Sequence, residues 1–149
     1  MEENKYYTPS LEEFCIGFEY EQINPVPIYD NGWRFKITKR IFTKEDIRST
    51  MDLYRITIDL QDKDIRVKYL DQQDIEECGF KENGYEEFIM TNSNIKSRYS
   101  TICTEVRIEL YYDYKTKELS ILYQPEYLFN GTIKNKTELK KLLKQLNIV

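Results

Sequence analysis

Histidine is absent from this chain of 149 residues. Histidine is the side chain whose unperturbed pKa lies near neutrality, and it is the usual base beside a nucleophile and the usual ligand of catalytic zinc. Its absence excludes Ser–His and Cys–His nucleophile pairs and the common zinc sites. The three cysteines, Cys15, Cys78 and Cys103, have no CxxC spacing, so we interpret them as small buried thiols. The sequence therefore predicts no metal and no organic cofactor.

Glycine-rich loops and long apolar runs are missing as well. The five glycines stand in no spacing that cradles a phosphate. No stretch approaches the roughly 20 apolar residues of a membrane span, and the acidic, polar N-terminus lacks the apolar core of a secretory signal. These features, together with the unpaired cysteines, predict a protein without membrane contact in a reducing cytoplasm.

The residues that are present are typical of one globular domain. Hydrophobic residues make up 40% and charged residues 32%, which indicates a well-solvated surface around a core. The 13 tyrosines favour strands, as do the many isoleucines. We expect a single domain over residues 1–149, with residues 1–7 as a flexible N-terminal arm. Its predicted class is α+β, a mainly antiparallel twisted sheet of about six to seven short strands with helices on one face.

Strands are predicted where apolar side chains alternate with polar ones. This pattern covers residues 14–21, 33–39, 54–60 with 65–69 as one hairpin, and 106–112 with 119–123 as another. Shorter strands are expected near residues 87–90 and 127–133. Between the first two strands, Pro25 and Pro27 cannot continue a sheet interior because proline has no N–H to donate.

Three helices are expected. The first is predicted to start at residues 43–46, because the apolar residues that follow have helical spacing: Ile47, Met51 and Tyr54. Asp71 and Asp74 predict a short capped helix that Gly79 ends. The last helix follows Asn135 and Glu138, which have capping-box spacing. Its apolar stripe, which should pack on the sheet, comprises Leu139, Leu142, Leu143 and Leu146.

Three stretches together resemble a set of small uncharacterised proteins of Bacteroides-type bacteria and their phages or prophages. They are residues 6–21, 65–76 and 131–146, and their matching positions cover about a third of the chain in the same order. Such tails often have glycine where this chain has Asn147, a residue that also tolerates left-handed backbone. The resemblance implies a phage or mobile-element setting, and it brings no activity and no catalytic residues.

Carboxylates offer the only metal chemistry that the composition allows. Glu19 and Glu21 share a strand face, and Asp71, Asp74, Glu76 and Glu77 cluster near a helix start. Such groups could bind Mg²⁺ and support a carboxylate-based metal-dependent hydrolase, but strands and first helical turns also collect carboxylates for solubility and capping. Asp113-Tyr114-Lys115 has the acid-x-lysine spacing of some metal nucleases, although it lies at a predicted turn and such triplets are expected by chance.

Charge and tyrosine content favour a protein partner. The net charge is −4, yet residues 131–149 hold five lysines and one glutamate, a net +4, so the remainder carries −8. An acidic body repels phosphates, which argues against nucleic-acid binding. Tyrosine is enriched at interface cores. We therefore expect an accessory protein, rather than an enzyme, that acts by protein–protein binding or self-association, with a virion or structural component as the alternative. The predicted interaction surface comprises Tyr111, Tyr112, Tyr114, Tyr123, Lys140, Lys141 and Lys144.

Overall fold

The computed structural model describes residues 5–28, 32–92, 106–123 and 126–149. The chain forms two compact units, Met1–Tyr69 and Leu70–Val149, each with its own apolar core. Every strand pair in these ranges is antiparallel, which confirms the α+β class and the antiparallel pairing. The strands belong to two sheets, one of four and one of five strands, whereas the sequence suggested one sheet. The single-domain organisation stays a prediction.

Within residues 5–28 and 32–69, the first unit contains a four-stranded sheet of order β1-β4-β2-β3 and one α-helix. Its elements are β1 (Tyr6–Tyr7), β2 (Glu19–Ile28), β3 (Gly32–Ile41), α1 (Thr50–Gln61) and β4 (Ile65–Lys68). Single turns of 3-10 helix at Leu11–Glu13 and Lys44–Ile47 precede β2 and α1. Tyr6 and Tyr7, within the expected N-terminal arm, pair with Lys68 and Val67, and residues 1–4 lie outside the described ranges.

The hairpin predicted from residues 54–60 is wrong, because these residues belong to α1. Ser49 caps the helix: its hydroxyl accepts a hydrogen bond from the Asp52 N–H at 3.3 Å, and the Asp52 carboxylate accepts one from the Ser49 N–H at 2.9 Å. This capping box fixes the helix start. Ile56 and Leu60, four residues apart, then face the core together. The helical spacing from Ile47 onward predicted this segment correctly, and the alternation from Tyr54 to Leu60 did not.

The strand predicted from residue 14 begins later, at Glu19. Gly17 has a φ of +89°, a left-handed conformation that suits glycine, and its N–H donates to the Phe42 carbonyl at 2.8 Å. The turn leaves Ile16 57% exposed, while Phe18 and Tyr20 enter the core. The core of this unit consists of Phe18, Tyr20, Phe42, Ile56, Ile65 and Val67, with Phe14 packed against it.

In its described residues, the second unit contains an antiparallel sheet of order β5-β6-β7-β8-β9 and two helices. Its elements are α2 (Gln72–Glu77), β5 (Lys81–Gly84), β6 (Glu87–Asn92), β7 (Val106–Tyr112), β8 (Glu118–Tyr123), β9 (Glu126–Thr132) and α3 (Lys136–Gln145). The hairpin predicted from 106–112 and 119–123 is confirmed as β7 and β8. The capping of α2 by Asp71, with Gly79 after its end at a φ of +96°, is confirmed as well.

Helix α3 packs on this sheet as predicted. Leu139, Leu142 and Leu143 are buried in the same core as the strands, and Leu146 lies partly buried at its edge. Asn135 caps the helix by accepting the Glu138 N–H at 3.0 Å, and Glu138 reaches back to the Lys134 N–H at 2.7 Å. The chain leaves α3 through Asn147, whose φ of +55° fits the tolerance expected of asparagine there.

Candidate interaction surface

The longest strand pair of the first unit extends beyond its sheet as a two-stranded ribbon. β2 and β3 pair along their whole length, from Glu19 opposite Ile41 to Ile28 opposite Gly32. β4 pairs with β2 only at Glu21 and Gln22. We call residues 23–28 of β2 and 32–37 of β3 the ribbon; residues 29–31 between them are not described. In the described ranges no strand covers the ribbon on either side.

Backbone geometry explains how two prolines fit into the ribbon. The Ile23 N–H points away from β3, because it donates to the Asp64 carbonyl at 2.7 Å. The direction of the backbone N–H and C=O groups alternates from residue to residue along a strand. The backbone groups at positions 25 and 27 therefore also point away from β3. Pro25 and Pro27 stand there, where the β2–β3 ladder needs no N–H. The prediction that the prolines cannot lie in a sheet interior holds, since they lie on an edge, but the strand expected to end at residue 21 continues through them to Ile28.

One face of the ribbon is apolar and exposed. Residues opposite each other in a sheet share a face, so the register places together Ile23, Pro25, Pro27, Trp33, Phe35 and Ile37. The exposed fractions of Trp33, Phe35 and Ile37 are 67%, 65% and 50%. A contiguous apolar patch rimmed by polar residues is typical of an interaction site.

The opposite face carries only basic charges on β3. Arg34 and Lys36 are exposed there, and within the described ranges neither forms an ion pair. Thr38 and Arg40 continue this face toward the base of the ribbon. From Gln22 to Phe42 the sequence holds a single acid, Asp30, against four basic residues. Of these four, Arg34, Lys36 and Arg40 lie on this face, where Val26 and Ile28 of β2 are also exposed, and Lys39 lies on the apolar side. Within the ribbon, the basic residues Arg34 and Lys36 are thus on one face and the aromatic residues on the other.

The base of the ribbon is held firmly. The Arg66 guanidinium pairs with the Glu21 carboxylate at 2.9 Å and lies over the Tyr6 ring, 3.9 Å from its centroid. Beside them, Phe14 packs edge-on against Tyr20 and Phe42, with ring centroids 5.4 and 5.3 Å away. These contacts orient the start of the ribbon, although its outer part is exposed.

A polar cavity of about 360 Å³ lies beside α1 in the same unit. Arg40 donates to the Gln22 side-chain oxygen at 2.7 Å, and the Gln22 amide donates to Asp59 at 3.0 Å. Burial, with Asp64 nearby, raises the pKa of Asp59. Burial also raises the pKa of Tyr20. The cavity lining is Tyr20, Gln22, Arg40, Glu45, Asp46, Asp52, Arg55, Ile56, Asp59 and Ile65.

This cavity holds both signs of charge, and two of its carboxylates already have structural roles. Asp46 accepts from the Thr43 N–H at 2.7 Å, and Asp52 completes the Ser49 capping box. The cavity can hold a small polar group, but its side chains present no nucleophile beside a base. The ribbon is therefore the stronger candidate site.

The tyrosines predicted as a contact surface divide between core and surface. Tyr112 is fully buried, whereas Tyr111, on the other sheet face as expected, is 39% exposed. Tyr114 packs edge-on against Tyr112 with centroids 5.1 Å apart, and burial raises its pKa to about 12. Tyr123 is half-buried. Tyr112 therefore belongs to the core and offers nothing to a partner, and the contact role of the others stays a prediction.

The predicted lysine surface on α3 is only partly exposed. Lys141 and Lys144 are exposed, while Lys140 is half-buried. Lys136, one turn earlier, pairs with Asp74 at 3.6 Å and with Glu77. The Lys136 contact lowers the pKa of Glu77.

The carboxylates considered as metal ligands serve local structure. Asp71 caps α2 by accepting the Asp74 N–H at 3.1 Å, and Glu76 accepts from the Gln72 amide at 2.9 Å. Asp113 accepts the N–H groups of Lys115 and Thr116, which lowers its pKa and defines the expected turn. In the ranges that the structure covers, no three His, Cys, Asp or Glu side chains are grouped to hold a metal ion.

Comparisons with known proteins leave the function to be argued from this geometry. The chain matches no family model, and no curated protein or solved structure is significantly similar to it. Across the described ranges, no helix is both long and apolar enough to cross a membrane.

Sequence reasoning did not identify the ribbon as a site. Residues 33–39 were predicted as a strand, and the segment around Pro25 and Pro27 was expected to lie outside a sheet interior. The usable signal was the run of four basic residues with aromatic and aliphatic residues between them, next to two prolines. Prolines two residues apart on one strand indicate an edge, and an edge strand has less sheet to cover it.

Proposed function

We propose that this protein acts by binding another protein and that the ribbon is its contact surface. The observation that carries the proposal is the exposed apolar face built on Trp33, Phe35 and Ile37. Fully burying a large apolar side chain contributes roughly 1.5–3 kcal/mol, and most of that gain is unrealised here. Aromatic anchors of this kind dominate the energetics of many interfaces.

The charges favour a different protein over a second copy. Two β3 edges paired antiparallel would bring Arg34 and Lys36 of one chain against basic residues of the other, and like charges opposite each other are destabilising. Face-to-face packing of two ribbons would bury little, since each face is roughly 20 Å long and two strands wide. A standard interface buries about 800 Å² per partner.

The resemblance to proteins of Bacteroides-type bacteria and phages supports a phage or mobile-element accessory role in the bacterial cytoplasm. In that setting the partner is a host or phage protein. A virion or structural component remains the alternative, and it would use the same ribbon within an assembly.

The proposal is tested by affinity capture from host and phage-infected lysates with the full chain as bait. The test variant replaces Trp33 and Phe35 with serine, and the control Tyr127→Ser alters an aromatic residue that is 68% exposed in the second unit. We expect a protein that is retained by the wild type and by the control and lost with the ribbon variant. All three must have equal melting temperatures. Equal retention by the ribbon variant, or no specific protein, would overturn the proposal.

A further inference from the structure

We propose that the ribbon binds its partner by strand addition to the free edge of β3, and that the added segment alternates apolar with acidic side chains. This inference rests on the proposed function and specifies the chemistry of the partner. Three features of the ribbon carry it: an open edge, a blocked edge, and two unlike faces.

The open edge is on β3. Ile37 lies opposite Ile23, whose N–H points away from β3, so the pair is not hydrogen-bonded. By the same alternation Trp33, Phe35 and Ile37 direct their N–H and C=O groups outward. β3 is the last strand of its sheet in the described part of the chain. These groups form a ladder that an extended segment can complete.

The other edge of the ribbon cannot accept a strand in this way. Beyond Ile23, which already donates to Asp64, the outward positions of β2 are Pro25 and Pro27. Neither has an N–H. Because antiparallel and parallel ladders both need donors from each strand, the geometry selects β3 alone.

The two faces determine the side chains of the added strand. Successive residues of a strand point to opposite faces, so a segment beside β3 reaches both at once. On one face its side chains lie next to Trp33, Phe35 and Ile37, which favours apolar residues. On the other they lie next to Arg34 and Lys36, where Asp or Glu forms cross-strand pairs. The complementary pattern is therefore acidic–apolar alternation.

A single-stranded nucleic acid is the main competitor, since it also binds basic and aromatic side chains. In the ribbon these two kinds of residue lie on opposite faces. A nucleic-acid strand stacked on Trp33 and Phe35 would have its phosphates on the wrong side of the sheet from Arg34 and Lys36, and would meet a single basic residue of β3, Lys39, on its own side. A peptide strand meets both sets without distortion.

The direct test uses capped synthetic peptides of about eight residues, the length of an ordinary strand, and the full chain. One peptide alternates Glu with Val, its matched control alternates Lys with Val, and a third has the first composition scrambled. Trp33 is the chain's one tryptophan, so its fluorescence reports occupancy of the ribbon. We expect at least tenfold tighter binding of the Glu–Val peptide than of either control, with the Trp33 emission shifted to the blue.

Two variants separate the edge from the charges. Ile37→Pro removes an outward N–H without removing one from the β2–β3 ladder, so it should abolish binding that Ile37→Ala only weakens. Arg34→Glu combined with Lys36→Glu should reverse the preference toward the Lys–Val peptide. Equal melting temperatures confirm that each variant is folded.

Each outcome bears on a distinct claim. Equal binding of the Glu–Val and Lys–Val peptides, or binding that survives Ile37→Pro, would overturn strand addition by an acidic segment. The proposed function would still stand if a captured protein depended on Trp33 and Phe35. Tighter binding of an oligothymidylate or of anionic vesicles than of the Glu–Val peptide would overturn the inference in favour of a nucleic acid or a lipid surface.

Discussion

The hydroxyl of Tyr112 donates a hydrogen bond to the carbonyl of Ile133, 3.1 Å away and 21 residues later in the chain. The bond joins the end of β7 to the segment that connects β9 with α3. Both residues lie in the core of the second unit. A tyrosine that the sequence suggested as a contact residue therefore stabilises the fold. It can be buried because its hydroxyl has a hydrogen-bond partner.

Replacing Tyr112 with phenylalanine should destabilise the protein by about 1–3 kcal/mol, because the buried Ile133 carbonyl loses a donor. Tyr127→Phe is the matched control, since Tyr127 is 68% exposed and its change should move stability by less than about 0.5 kcal/mol. Chemical denaturation measures both. Equal effects of the two changes would show that the Tyr112 hydrogen bond contributes nothing.

Leu143→Ala should cost about 2–5 kcal/mol, since Leu143 is fully buried between α3 and the five-stranded sheet. Lys144→Ala, next to it and exposed, should leave the free energy of unfolding almost unchanged. Thermal melts compare the two. A Leu143→Ala melt that coincides with the wild type would contradict the docking of α3.

Tyr114 should be among the last tyrosines to ionise. Burial raises its pKa to about 12, with Asp71 and Glu82 adding to the shift. Because the folded pKa exceeds the ordinary 10.0, the contribution of this group to stability is fully present below about pH 10 and is lost as the pH rises through about 12. Absorbance titration of tyrosinate should show one fewer late-ionising group in Tyr114→Phe. A loss from the early part of the curve would contradict this assignment.

Asp59→Asn should leave the protein at least as stable as the wild type at neutral pH. Burial raises the pKa of Asp59, so its favourable contribution is present below the ordinary value of 3.8 and is lost as the pH rises through the raised value. The asparagine oxygen can still accept the Gln22 amide. Melting temperatures should differ most at about pH 7 and converge below the ordinary pKa of 3.8, with Glu12→Gln as an exposed control. A melting temperature lowered at neutral pH would be the contrary result.

Trp33 should be accessible to solvent in the free protein, since it is 67% exposed. Arg34 and Lys36 lie nearby, so the anionic quencher iodide should quench its fluorescence more efficiently than caesium. Salt should narrow that difference by screening the charges. Weak quenching by both, unchanged on dilution, would show that the ribbon is covered within the protein itself.

Capping and turn residues are the parts of this fold that the sequence predicted well. Asp71, Gly79 and Asn135 each act through local backbone hydrogen bonds, which depend on residues only a few positions away. The alternation in 106–123 also succeeded, because the inward residues Ile108, Leu110, Leu119 and Ile121 are all fully buried.

Alternation misled where burial did not follow it. In α1, Tyr54 and Ile56 alternate in sequence, yet Tyr54 is 60% exposed and only Ile56 is buried. In the ribbon, a strand was predicted correctly for β3 but not for residues 23–28 of β2. The surroundings of β3 were not predicted, because strand periodicity is the same beside a core and beside solvent. Which of two apolar faces is covered depends on where the other strands end, and the short length of β4 decides that here.

Pro25 and Pro27 also set a limit on stoichiometry. An exposed sheet edge on each side of a hairpin would allow molecules to add one after another, as in a growing fibril. The ribbon accepts a strand on one side and offers no N–H on the other, so it contributes a single docking position. A hairpin built in this way terminates edge-to-edge assembly through its own strands instead of propagating it.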